Sequence, residues 1–142
     1  MAGNIWSITI EYDDISNTGG SINNQEGLAF IREYFDELFV KRNLNAVSSY
    51  LDENYFDDDI GESEADHVKC SKEFLSPLFR RQPTIDVDVK DATVQDNVIS
   101  AFLDWFVLED HAKRIIRKGV AIFVVDHCKI VKRHTFTYHN EA

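Results

Sequence analysis

Gln82-Pro-Thr-Ile-Asp-Val-Asp-Val-Lys-Asp-Ala-Thr-Val-Gln-Asp-Asn-Val-Ile-Ser-Ala-Phe-Leu-Asp-Trp105 is the stretch whose reading decides the fold. Gln82-Pro83-Thr84 ends a helical pattern, because proline removes a backbone donor and clashes with the preceding turn. Ile85, Val87 and Val89 then alternate with Asp86, Asp88 and Lys90, the period of a half-buried strand. Asp96-Asn97 is hairpin-turn chemistry. The second strand, Val98 to Leu108, is apolar on both faces, which predicts an interior strand covered twice. Asp104 stands inside that run between Phe102 and Phe106, and is either an ion-paired structural acid or a working one.

At 142 residues the chain is long enough for one domain around one core, burying roughly 68–70% of its unfolded surface. Its 44% apolar and 12% aromatic composition is globular, and no apolar run approaches the ~20 residues needed to span a bilayer. The formal charge of −10 repels nucleic acid and anionic membranes, so neither is expected as a partner. The start, Met1 to Ser7, lacks the basic and apolar segments of a signal peptide, which gives a cytoplasmic expectation. Cys70 and Cys128 read as free thiols.

Working outward, residues 1–25 form an extension. Trp6, Ile8, Ile10 and Tyr12 alternate as an edge strand, and Asn17 to Ser21 reads as a connector. The main domain is expected over residues 26–142. From Glu26 to Arg42, Leu28, Ile31, Phe35, Leu38 and Phe39 follow helical spacing, with Tyr34 beside them. Asn43 or Asn45 can cap a short second helix carrying Val47, Tyr50 and Leu51. Tyr55-Phe56 is extended, and Asp57 to Gly61 reads as an acidic loop. Ser63-Glu-Ala-Asp66 has capping-box shape and predicts a third helix through Val68, Ser71, Phe74 and Leu75, kinked or ended by Pro77. Ile115 to Val125 and Lys129 to Tyr138 are two further strands around a turn at Asp126-His-Cys128. Helices followed by a three- or four-stranded antiparallel meander make an α+β domain.

Three features carry a resemblance to the SnoaL-like branch of the nuclear transport factor two-like superfamily, over about residues 26–138. They are Tyr34-Phe-Asp-Glu-Leu38 followed by Asn45-Ala-Val-Ser-Ser-Tyr-Leu51 and an acidic segment; Phe79-Arg-Arg-Gln-Pro83 leading into Ile85 to Asp91; and Ala121 to Val131 as a final hairpin. In that hairpin His127-Cys128 stand where a glycine usually follows the aspartate. The resemblance implies helices packed on a curved antiparallel sheet, forming a cone with an apolar pocket. It also implies isomerase, cyclase, dehydratase or epoxide hydrolase chemistry, set by the few polar side chains inside.

Tyr34 falls where the resemblance places a tyrosine that donates to a developing oxyanion, a role a phenol in an apolar cavity can fill; the plain alternative is a packed core tyrosine. Asp58 and Asp59 fall near the general-base position, with Asp57 within one residue of it, though three consecutive aspartates also describe a solvated loop. Arg133, His134 and Thr135 occupy the segment where relatives often read His-Trp-Asp. Thr135 cannot take over the work of a carboxylate, so any acid–base role moves to Asp104, Asp59 or His134. His134 alternates with Lys132 and Phe136 and also reads as a surface or interface histidine.

The sequence therefore predicts a cofactor-free, metal-free isomerase, cyclase or dehydratase acting by proton transfer on an apolar polycyclic or polyketide-like molecule. Asp104, Tyr34, Asp59 and His134 are the expected catalytic groups, and Asp58, Tyr55, Phe102, Phe106, Arg133 and Thr135 the expected substrate contacts. The rival reading is a non-catalytic binding or dimerisation module. His67 and His111 stand alone, and no zinc spacing, phosphate loop or Gly-x-Ser-x-Gly motif occurs. A homodimer through the open face of the sheet is expected, because helices can cover one face only.

Overall fold

The computed structural model describes residues 22–140, with backbone alone at 139 and 140. The edge strand expected around Trp6 to Tyr12 lies outside the described residues. Three helices, α1 (Asn24–Phe35), α2 (Asn45–Tyr50) and α3 (His67–Arg81), pack on five strands, β1 (Leu51–Asp57), β2 (Asp86–Gln95), β3 (Val98–Glu109), β4 (Ala112–Asp126) and β5 (Lys129–Asn140). The sheet order is β1-β5-β4-β3-β2.

α1 starts where the sequence satisfies its first amides. Asn23 Oδ1 accepts from Glu26 N at 2.8 Å, and Glu26 Oε1 accepts from Asn23 N at 2.8 Å, a reciprocal cap. Ile31, Tyr34, Phe35 and Leu38 repeat at helical spacing and are all buried. The helix gives way to a wider π-type turn over Asp36–Val40, closed by Lys41 N donating to Asp36 O. The added width lets the adjacent Leu38 and Phe39 both reach the core.

α3 begins three residues later than the capping-box reading placed it. Asp66, not Ser63, is the cap, its Oδ1 accepting from Lys69 N at 3.0 Å. The helix also runs through Pro77 to Arg81. Proline at that position leaves the Glu73 carbonyl without its usual donor, but Glu73 is exposed, so water can serve it. Phe74, expected on the buried stripe, is 57% exposed, while Leu75 is buried.

β2, β3, β4 and β5 form the expected antiparallel meander. Positive φ at Asp110, His111, His127 and Cys128 gives the two later hairpins the backbone twist that matches their strands. β3 is interior, between β2 and β4. The sheet is mixed rather than wholly antiparallel, because β1 joins the far edge parallel to β5. The sequence reading saw only Tyr55-Phe56 as extended there. Cys70 and Cys128 are free thiols, and among the described residues no helix is long and apolar enough to cross a membrane.

The two faces of the sheet differ. Ile99, Ala101, Leu103, Trp105 and Val107 of β3 face the helices with Ala121 and Phe123 of β4, in one buried core with Ile31, Phe35 and Val47. On the other face Phe102, Leu108 and Phe136 keep 39%, 45% and 52% of their surface open. Gly119 allows a close approach inside the sheet, since a Cβ there would lie 2.3 Å from the carbonyl oxygen of Phe136 on β5.

Candidate active site

The parallel pairing of β1 with β5 sets Asp57 opposite Arg133. Alternation then sends Tyr55 and Asp57 of β1, and Arg133 and Thr135 of β5, to the helix-covered side. Asp57 is 8% and Tyr55 5% exposed. The Tyr55 hydroxyl donates to Asp57 Oδ2 at 3.0 Å, and the Asp59 amide donates to Asp57 Oδ1 at 2.9 Å. Both carboxylate oxygens are thus oriented by donors, as a buried acid requires.

Arg133 reaches inward over two aromatic faces, its guanidinium carbon 5.8 Å from the centroid of Phe35 and 5.3 Å from that of Phe123. Nε donates to Thr135 Oγ1 at 3.0 Å, which leaves the two terminal amino groups without a protein acceptor among the described residues. Burial works against the guanidinium charge, yet Tyr55, Asp57, Tyr34 and Asp59 around it outweigh burial, and its pKa is raised. The arginine is therefore a fixed cation between the aromatic faces of Phe35 and Phe123 and this group of phenols and carboxylates.

Tyr34 enters the same group from α1. It is 3% exposed, its ring packs on Phe35 and Tyr50 at centroid distances of 5.4 and 5.2 Å, and its hydroxyl has no hydrogen-bond partner among the described residues. Burial pushes the phenol up to about 12, with Arg133 pulling it down and Asp57 pushing it further up. The Tyr55 phenol is raised well above its ordinary value, first by burial, against the pull of Arg133. Both phenols stay protonated donors at neutral pH. Asp59 stands at the rim, exposed, its carboxyl raised by burial and by the Asp57 charge against Arg133 and His134.

Tyr34, Tyr55, Asp59, Arg133 and Thr135 thus lie together around Asp57, which the sequence offers as an alternative to Asp58 and Asp59 at the general-base position. The other expected residues lie elsewhere. Asp104, Phe102 and Phe106 project from β3 on the open face. There Asp104 is 7% exposed, stands opposite Asp88 and Lys118, and has Lys118 Nζ 3.5 Å from Oδ1. Asp104 does not lie with Tyr34: its strand neighbours Leu103 and Trp105 take the helix-covered side, so alternation turns Asp104 to the other face. His134 and Asp58 also face outward, His134 Nδ1 lying 2.6 Å from Asp58 Oδ2 and its ring 4.2 Å from that of Phe136. Of the expected catalytic groups, the inner site keeps Tyr34 and, at its rim, Asp59.

His67, passed over as a lone histidine, is 3% exposed and bonded to the amide of Asp57. Extending the β1 alternation one step past Tyr55 singles out Asp57 from Asp58 and Asp59; nothing local marks His67. Among the described residues no group of histidine, cysteine and acidic side chains could hold a metal ion.

No protein-family model matches the sequence, and no curated protein matches it. Solved structures match the fold. A provisionally named SnoaL-like polyketide cyclase from Jannaschia sp. CCS1 is similar at a TM-score of 0.61 and 14% identity, over 82% of this chain and 88% of that one. A provisionally named polyketide cyclase from Bacillus cereus ATCC 10987 gives 0.64 and 15%, over 78% and 74%. An LEH-like epoxide hydrolase from M. tuberculosis gives 0.56 and 13%, over 81% and 84%. The architecture is therefore the α+β fold of these SnoaL-like structures, as the resemblance implied. At these identities the likeness concerns fold, and chemistry has to be argued from the side chains.

Proposed function

We propose that the protein is a cofactor-free enzyme that moves a proton on an apolar, carbonyl-bearing molecule of polycyclic or polyketide-like kind. Isomerisation, cyclisation and dehydration share that step. One observation carries the reading: a buried, doubly oriented carboxylate, Asp57, sits among donors that have no acceptor among the described residues, the Tyr34 hydroxyl and the terminal amino groups of Arg133. A carbonyl oxygen placed on those donors would gain stabilisation as it becomes an enolate, while Asp57 takes the proton from the adjacent carbon. Fixed donors cost no reorganisation when charge develops, and a site shielded from water strengthens each of them. Asp59 at the rim is suited to relay the proton to solvent.

Thr135 supports the rival reading, a binding module without chemistry, since it gives Arg133 a neutral partner where relatives often carry an acid. A homodimer over the open face fits either reading, with Phe102, Leu108 and Phe136 as the surface to be covered.

The test is exchange of carbonyl-adjacent protons in D2O, followed by proton NMR over a panel of apolar mono- and polycyclic ketones. Protein-dependent exchange on at least one member, lost by roughly 10²-fold or more in Asp57→Asn, is the expected result. Binding of panel members without exchange would favour the module.

A further inference from the structure

We propose that His67 is a positioning residue for Asp57, a role that rests on the acid–base reading above. His67 is the first residue of α3 and is almost wholly buried, its ring stacked on Phe56 at 4.7 Å and 28°. Its Nδ1 lies 2.9 Å from the Asp57 backbone nitrogen. That amide can only donate, so Nδ1 must be the unprotonated nitrogen and Nε2 must carry the hydrogen. Nε2 lies 2.9 Å from Gly61 O and 3.0 Å from Glu64 O, both acceptors. One neutral imidazole therefore joins the end of β1 to the loop over residues 58–66.

The same loop is tied to Asp57 from the other side. Ile60 N and Gly61 N both donate to Asp57 O, at 3.0 and 3.1 Å, and the Asp59 amide holds the Asp57 carboxylate. The backbone of Asp57 is thus fixed through its nitrogen by His67 and through its oxygen by the turn that His67 anchors at Gly61. The direction of the Asp57 carboxylate toward Tyr55, and the place of Asp59 at the rim, both follow from that frame. A general base displaced by about 1 Å can lose on the order of 10² in rate, so a residue that never meets the substrate can govern turnover.

Two variants separate the functions of the two ring nitrogens. His67→Asn keeps an acceptor near Nδ1 and gives up the reach of Nε2, whereas His67→Gln keeps a donor near Nε2 and gives up the acceptor for Asp57. In the 15N-labelled parent protein we expect a cross-hydrogen-bond nitrogen–nitrogen coupling between the Asp57 amide and His67 Nδ1. We expect His67→Gln to speed exchange of the Asp57 amide by about tenfold or more, the scale of a buried donor left unpaired, and to lower kcat of ketone proton exchange with KM little changed. His67→Asn should restore most of both. Absence of the coupling, or an equal loss of kcat in the two variants that follows global stability, would overturn the proposal. Should His67→Gln not fold, the coupling in the parent, with Asp57 amide exchange and kcat in His67→Asn, still decides. If Asp57→Asn leaves proton exchange untouched while the coupling is present, the acid–base reading fails instead, and the positioning role falls with it.

Discussion

Replacing Tyr55 by phenylalanine deletes one oxygen and tests how Asp57 is held inside the domain. The hydroxyl donates to Asp57 Oδ2 at 3.0 Å, in surroundings where Tyr55 is 5% and Asp57 8% exposed. A hydrogen bond to a charged group contributes about 1.5–3 kcal/mol, and among the described residues the carboxylate would keep only the Asp59 amide. With a urea slope near 2 kcal/mol/M, typical for a domain of this size, the unfolding midpoint should fall by roughly 0.7–1.5 M. Tyr34→Phe is the internal control. Its hydroxyl has no acceptor among the described residues, so at neutral pH its removal should cost less than about 0.5 kcal/mol. Urea titrations followed by tryptophan fluorescence measure both. A Tyr55→Phe midpoint within about 0.2 M of the parent, or a Tyr34→Phe loss equal to it, would refute the picture of a carboxylate held by one phenol beside a second that is kept for a ligand.

Three more outcomes follow from the same geometry. The Tyr34 phenol is raised from 10.0 to about 12 on folding, so folding favours its protonated form. Below pH 10 the group leaves stability unchanged, and between pH 10 and 12 stability falls by roughly 2–3 kcal/mol as the unfolded phenol ionises first; Tyr34→Phe should remove that part of the slope in stability against pH. Gly119→Ala would push a methyl group to 2.3 Å from the Phe136 carbonyl oxygen. Backbone cannot swing aside as a side chain does, so a loss of about 2 kcal/mol or more is expected in thermal unfolding. For the open face, light scattering over micromolar concentrations should report a mass of about twice the 16.4 kDa chain, and Phe136→Glu should halve it; a parent that stays at the monomer mass would count against the dimer.

Much of the fold was legible because it rests on local chemistry. The break at Pro83, the turn at Asp96-Asn97 and the two-faced apolar run of β3 each follow from residues close in sequence, and the two faces of β3 separate as the alternation predicts. What alternation on one strand does not carry is which face looks into the cone. Phe102 and Phe106 beside Asp104 resemble the walls of a pocket, yet they flank an ion pair on the uncovered side. The parallel edge strand β1 was harder to see, since its partner lies some 75 residues on and Asp52, Glu53 and Asn54 disguise its period. Tyr34, Tyr55, Asp59, Arg133 and Thr135 could be named from pattern and resemblance. Asp57 could be named only as one of three consecutive aspartates, and His67 was hidden by having backbone partners that only the tertiary fold brings near.

The most direct test sets Asp57→Asn beside Asp104→Asn in the ketone proton-exchange assay, with stability measured in parallel. The inner-face site predicts that Asp57→Asn loses roughly 10²-fold or more in rate, while Asp104→Asn keeps the parent rate and gives up only about 1 kcal/mol of stability with its partner Lys118. Retained exchange in Asp57→Asn, or its loss in Asp104→Asn, would place the chemistry on the other face of the sheet and contradict the account.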